Sequence, residues 1–319
     1  MKSKLFGPAM RKGILLAVIF LGVQGLISGG ILGGYFQSTL MTICINIILA
    51  VSLNLITGFT GQFSLGHAGF MCIGAYVCGI VTLQMDTTVG FLLGMFGGAL
   101  AAALVGVLVG LPTLRLRGDY LAIATLGMAE IIRIVALNLG VTNGAAGLST
   151  PQHVNWAWMF LFVAGTVLII ANFLKSSHGR ACISIREDEI AAEAMGINLT
   201  RYKVTAFAIG AFFAGIAGAL HASYFYFIKP DMFGFLKSVN VLVIVVLGGL
   251  GSLSGSVIAA ILLALISSLL QQFPDLQMVF YSLALVIIMI FRPQGLMGSK
   301  ELSLKLFSKV LRRKPKEVA

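Results

Sequence analysis

Residues 40–70 read LMTICINIILAVSLNLITGFTGQFSLGHAGF. The first eighteen, 40–57, carry no charge, and the rest holds glycines at 58, 61, 66 and 69 among hydroxyl and amide side chains. An apolar run of that length is close to the roughly 20 residues a helix needs to cross a bilayer. Helix-breaking backbone at membrane depth is tolerated only where protein buries it or where it lines a wet cavity. The stretch therefore predicts a membrane helix followed by a segment that lines a cavity or makes a tight inner turn, with a short cytoplasmic loop as the plainer alternative.

Further apolar runs occupy 14–33, 65–84, 90–111, 120–138, 157–174, 204–224, 239–250, 254–272 and 277–291. The 319-residue chain is 58% hydrophobic and only 10% charged. A soluble domain carries about 25% charged residues, so a globule of this composition could not wet its surface. Glycine, with 38 residues, stands well above its usual share of about 7% and suits closely packed membrane helices. The expected fold is all-α: a polytopic transmembrane helical bundle of eight to ten spans, ten favoured. The run 239–250 is short for a crossing and runs into Gly248-Gly249-Leu250-Gly251-Ser252, as a half-helix turning back inside protein would.

The net charge is +11. On a ten-span arrangement with a cytoplasmic N-terminus, 19 of the 22 Lys and Arg residues fall on the cytoplasmic side: in the N-terminal tail 1–13, at Arg115 and Arg117, in the loop 175–203, and in the basic C-terminal tail 292–319. Lys229 and Lys237 fall outside and Arg133 within a span. That asymmetry places both termini in the cytoplasm and makes the charge a matter of topology, with no nucleic-acid partner implied. The first apolar run outlasts the core of a secretion signal and reads as a retained helix. The polar, Gly-rich loop 139–156 ends at Trp156, with Trp158 just beyond, as an outer membrane–water belt would.

The apparatus of an enzyme is missing. There is no GxxxxGK[ST], HExxH or GxSxG, the four histidines are scattered, and Cys44, Cys72, Cys78 and Cys182 form no CxxC pair. No catalytic residue and no metal ligand is expected. Glu130 is the one acid well inside an apolar run, and Arg133 follows on the same helical face. The two read either as a self-neutralised pair holding helices together or as part of a substrate or gate site. The candidate translocation path comprises Asn46, Ser52, Asn54, Gln62, Ser64, His67, Glu130 and Arg133. His67 reads more readily as a hydrogen-bonded structural residue than as a ligand.

The loop 175–203 contains Arg186-Glu187-Asp188-Glu189-Ile190-Ala191-Ala192-Glu193-Ala194-Met195-Gly196-Ile197. Residues 187–195 favour a helix with acids at its start, and Gly196 supplies the stop. Ile190, Ala194 and Ile197 share one face, with Met195 beside them. Four acids in seven residues suit an anionic lipid surface poorly, so a partner protein's groove is the expected dock.

Over about 40–295 the chain resembles the membrane subunits of binding-protein-dependent ABC importers, the LivM-like branched-chain amino acid permeases. The resemblance rests on LNLITGFTGQFSLGHAGFMCIGAY (53–76), LRLRGDYLAIATLGMAEIIRI (114–134) with TNGAAGLS (142–149), GRACISIREDEIAAEAMGIN (179–198), VLGGLGSLSGSVIAA (246–260) and FRPQGLMG (291–298). In the importers' coupling motif, EAA followed by three residues and Gly, Ala191, Ala192 and Gly196 match here while Ile190 stands in place of Glu, leaving Glu189 or Glu193 to serve. The resemblance implies an ABC importer permease fold, with 14–291 as the permease domain and 175–203 as its cytoplasmic coupling loop. It implies coupling to ATPases through Arg186, Glu187, Asp188, Glu189, Ala191, Ala192, Glu193 and Gly196. It also implies a second homologous permease, two cytoplasmic ATPase subunits, an extracytoplasmic substrate-binding protein and a bacterial inner membrane. No cofactor is expected on this chain, since ATP and Mg would sit on the ATPases. Related permeases carry urea, short amides or other small acids. An ion-coupled transporter and a membrane-embedded enzyme using His67 or His221 are the rival classes.

Overall fold

The computed structural model describes residues 8–30, 33–113, 116 and 118–270, together with 279, 283, 286 and 295–298. A backbone in lipid must satisfy its own hydrogen bonds, so apolar runs become helices. The helices, of which α7 and α8 belong to the charged 175–203 loop, are α1 (Pro8–Ser28), α2 (Gly34–Asn54, prolonged by a π turn Leu55–Phe59), α3 (His67–Gln84), α4 (Thr88–Thr113), α5 (Asp119–Asn138), α6 (Trp156–Lys175), α7 (Ser177–Glu187), α8 (Glu189–Ala194), α9 (Leu199–Phe225), α10 (Phe235–Gly248) and α11 (Leu253–Leu269). Seven stretches among the described residues are long and apolar enough to cross a membrane, and Leu16–Ser28 and Leu253–Leu269 are shorter apolar helices. The protein is thus a polytopic helical membrane protein. Most of the tenth run, 277–291, lies outside the described residues, as do Lys2, Lys4, Arg115, Arg117 and the tail beyond 298.

The short run at 239–250 needs correcting. Its helix begins at Phe235, and a 3-10 turn Pro230–Phe233 precedes it, so the helical stretch Pro230–Gly248 has 19 residues. The sequence hid this because Lys237 and Asp231 look like loop residues. The chain then reverses at Gly249–Ser252 into α11, which packs on α10 and α2.

At the centre α3, α4 and α9 meet backbone to backbone. A Cβ on Gly74 would stand 2.0 Å from the Gly215 carbonyl oxygen, and one on Gly218 only 1.9 Å from that of Met71. Small residues permit this approach between membrane helices. Around the seam lie fully buried Phe91, Phe207, Met71 and Met95, and Phe207 meets Phe70 edge-on at 5.5 Å.

Two very short strands tie down the loop after α5. β1 (Leu148–Ser149) pairs antiparallel with β2 (Phe227–Ile228), Leu148 opposite Ile228. Thr150 N–H donates to Tyr226 O at 2.8 Å and its hydroxyl to Ala222 O at 2.6 Å. Trp156 is no belt residue: it is buried, packed on Phe160 at 5.6 Å, because the first turn of α6 carries it into the core.

Candidate functional site

The segment 177–198 is built by its caps. The Ser176 hydroxyl accepts from Gly179 N–H at 3.3 Å and starts α7. The single helix expected over 187–195 is instead broken at Asp188, which is extended (φ −157°) and whose Oδ1 accepts from Ile190 N–H at 2.9 Å and Ala191 N–H at 3.1 Å. An aspartate at an N-cap satisfies orphan amides that a helix-interior aspartate could not, so the chain restarts there as α8. Gly196, at φ +83°, ends α8. Ile197 N–H reaches Ala192 O at 3.1 Å and Gly196 N–H reaches Glu193 O at 2.9 Å, the Schellman pattern.

Two side chains fasten this segment to the bundle. Arg186 Nη1 donates to Gly58 O at 2.9 Å, and Arg186 also pairs with Glu187. The guanidinium is wedged among glycines: a Cβ on Gly251 would lie 2.5 Å from Nη1, and one on Gly61 would lie 3.2 Å from Cγ. At the other end buried Lys203, in the first turns of α9, donates to Glu189 Oε1 at 2.5 Å. Of the residues expected to meet a partner, Arg186 and Glu189 are therefore engaged with the bundle, and Ala192 is buried. Glu187, Asp188, Ala191, Glu193 and Gly196 are exposed, beside Ile190 at 76% and Met195 at 83% exposure.

Cys182 lies on the buried face of α7. Burial pushes its thiol up to about 11, against the opposing hydrogen bond to Thr60. A raised thiol value keeps the protonated form through neutral and mildly basic pH, giving about a hundredfold less reactive thiolate than an ordinary cysteine. Alkylation of Cys182 in the folded protein at about pH 8 is expected to be at least about a hundredfold slower than in the denatured chain. Equal rates would mean that this face of α7 is not packed against the bundle.

The residues of the 54–70 segment serve this same end of the molecule. Buried Asn54 donates to Ser252 O (2.9 Å) and Ser256 Oγ (2.8 Å) and accepts from Gly251 N–H (2.9 Å), so it pins the reversal between α10 and α11. Ser52 Oγ lies 2.8 Å from His67 Nε2, Gln62 Nε2 donates to Lys203 O at 3.3 Å, and Ser64 Oγ accepts from Gly66 N–H at 3.4 Å. All five are buried, and the segment forms a tight inner turn. From far along the chain, Leu296 and Met297 N–H donate to Leu247 O (2.8 Å) and Gly248 O (3.2 Å), covering orphan carbonyls of α10.

Cavities lie elsewhere. Between residues 41 and 60 only Thr42 and Asn46 retain solvent exposure. They continue one face of α2 that begins with Tyr35, Ser38 and Thr39. A cavity of about 430 Å³ opens there, closed across by Ser267 and Ser268 of α11. A second, of about 180 Å³, shares Thr42, Asn46 and Ser267 and adds Lys237, Asn240, Val243, Ile244 and Leu263. A third, of about 570 Å³, shares Lys237 and Asn240 and reaches Glu130, Arg133 and Asp231. Common walls thus join all three. Arg133 bonds Glu130 Oε1 through Nε at 2.9 Å and Asp231 Oδ1 through Nη1 at 2.8 Å, so the expected pair is a triad. Of the path candidates, Asn46, Glu130 and Arg133 line these cavities, while Ser52, Asn54, Gln62, Ser64 and His67 do not. Sequence reading missed Thr42, Lys237, Asn240 and Ser267. The positions 35, 38, 39, 42 and 46, polar at helical spacing, were the available signal.

A family model described as "Branched-chain amino acid transport system / permease component" matches residues 35–289. The chain is 38% identical over 298 residues to the high-affinity branched-chain amino acid transport system permease protein LivM of Escherichia coli, covering 82% of this chain and 70% of that protein. Identity to LivM of Salmonella typhimurium is 37% over 300 residues, covering 83% and 70%. With LivH of Escherichia coli, the permease protein of the same description, identity is 25% over 283 residues, covering 80% and 91%. Among solved structures, PsaBC from Streptococcus pneumoniae in complex with Fab gives a TM-score of 0.44 at 15% identity, covering 87% of this chain and 97% of that one. By the family match and the LivM identities, this chain belongs to the branched-chain amino acid transport permease family.

Proposed function

We propose that the protein is the permease subunit of an ATP-driven importer that carries leucine, isoleucine and valine across a bacterial inner membrane. The observation that carries this reading is the 177–198 segment: anchored to the bundle through Arg186 and Lys203, it presents Ile190 and Met195 to the surroundings. Two apolar side chains on a braced helix fit a groove in a partner. In this reading the partners are two cytoplasmic ATPase subunits, which hold ATP and Mg, and this chain holds no cofactor. The 177–198 end and both termini face the cytoplasm. The strand-tied loop 139–155 faces outward and receives a substrate-binding protein, and a second similar permease completes the conduit. Residues 14–291 form the permease domain between tails 1–13 and 292–319. When the ATPases close on ATP, force enters at α8 and passes through Arg186–Gly58 and Asn54–Ser252 to α2, α10 and α11, the walls of the joined cavities.

Purification of the tagged chain from its native membrane, followed by uptake in vesicles, tests the reading. Two ATPase chains and a second permease are expected to co-purify, with ATP-dependent leucine uptake competed by isoleucine and valine but not by urea. Urea uptake indifferent to leucine would overturn the substrate, and uptake driven by an ion gradient without ATP would overturn the class.

A further inference from the structure

Lys237 takes no part in the Arg133–Glu130–Asp231 triad. It sits half-buried in the first turn of α10, within a membrane-spanning stretch, on the wall common to the 180 Å³ and 570 Å³ cavities. Intramembrane lysines are rare, face a bundle interior or watery cavity, and mark substrate pathways by default. The acids of the neighbouring cavity, Glu130 and Asp231, are already bound by Arg133. Among the described residues Lys237 pairs with no acid, and its one hydrogen bond is a long one, 3.5 Å to Asn46 Oδ1. An ammonium so placed retains most of its capacity to donate. The smaller cavity, which Lys237 lines beside Thr42, Asn46, Asn240 and Ser267, also carries the apolar side chains of Val243, Ile244 and Leu263. A cavity of about 150 Å³ accommodates benzene, so 180 Å³ suits one small aliphatic side chain.

We infer that Lys237 and Asn240 form a carboxylate-binding waypoint in the conduit, with Val243, Ile244 and Leu263 of the same cavity taking the side chain of a small aliphatic amino acid. The inference rests on the transport reading and deepens it, giving this chain a share in substrate selection. The carboxylate accepts from Lys237 Nζ in place of the long bond to Asn46, while Val243, Ile244 and Leu263 cover the hydrocarbon. Charge recognition of this kind rejects an otherwise similar solute that lacks the carboxylate.

The assembled complex carrying Ser267→Cys, on the α11 side of the same cavity, tests the site, because the four native cysteines are buried and react slowly. Modification of the introduced thiol by a small water-soluble reagent is followed with and without ligand. Leucine and 4-methylpentanoate, which both carry the carboxylate, are each expected to slow it about fivefold at several times their Kd, while leucinamide leaves it unchanged. Lys237→Gln is expected to abolish the protection, each variant being compared with its own rate without ligand, and to leave the yield of complex unaltered, while Lys237→Arg keeps the protection. Equal protection by leucinamide, protection surviving Lys237→Gln, or no protection would each overturn the waypoint. Leucine uptake by the wild-type complex is measured alongside. Protection without uptake would sustain the site and sink the transport reading, whereas uptake without protection would sink the site alone.

Discussion

Gly218→Leu is expected to leave no assembled protein in the membrane. Its Cβ would lie 1.9 Å from Met71 O and 2.9 Å from Ala75 N, both backbone atoms of α3 that no rotamer change can move. Relief demands that α3 and α9 separate by about an ångström, and packed interiors do not stretch continuously. The same seam holds Gly74 against Gly215 and Gly98 against Gly74, so separation would strip contacts from α3, α4 and α9 together. Between membrane helices such packing is a main source of association, because lipid offers no hydrophobic drive to hold them. A loss exceeding about 5 kcal/mol is expected, comparable with the whole stability of many proteins. Gly97→Leu is the control: it lies on α4, where an added Cβ meets nothing within 4 Å, and wild-type behaviour is expected. Yield and monodispersity of the detergent-extracted protein decide the matter, and wild-type yield for Gly218→Leu would show that α3 and α9 do not touch at this point.

Ile190→Asp combined with Met195→Asp is expected to lower ATP-driven uptake about a hundredfold while the permease itself folds normally. Both side chains are exposed and make no contact on which α8 depends. The helix is set by the Asp188 cap, the Gly196 closure and the Lys203–Glu189 pair, none of which the substitutions touch. Seated in a partner's apolar groove, each carboxylate would lose its water without gaining a counter-charge, at several kcal/mol in total. A hundredfold loss corresponds to about 2.7 kcal/mol, well within that range. Ala192 is a poorer probe, because it is buried and an acid there would unravel α8 itself. Measured together, uptake, co-purification of ATPases and permease yield separate the outcomes. Retained uptake with ATPases still bound would show that the partner grips another surface.

The helices were legible because apolar runs in lipid have little choice of structure, and the stop after Ala194 because Gly196 acts over three or four residues. The breaks were harder. Asp188 reads equally well inside a helix or before one, and its geometry alone makes two helices of one. Lys237 looked like loop because a charge in a first helical turn is indistinguishable in sequence from one just before it. The hydroxyls of Ser38, Thr39 and Thr42 each bond a backbone carbonyl four residues back, so nothing but spacing sets apart the face that lines the cavity. Least legible were pairings across the chain. Asn54 meets Ser252 across 198 positions and Arg186 meets Gly58 across 128, and no local rule foretells either. For that reason Ser52, Asn54 and His67, read from their neighbours as cavity candidates, hold the inner turn and its helices together instead.

In the proposed mechanism this chain is a passive conduit moved by force applied at α8. Reconstitution in liposomes with leucine supplied outside decides it, once with the chain alone and once with its ATPase and permease partners, binding protein and ATP. Accumulation of leucine against its gradient is expected only in the complete mixture, and to vanish there with Ile190→Asp/Met195→Asp. Uphill accumulation by the isolated chain would rule that mechanism out.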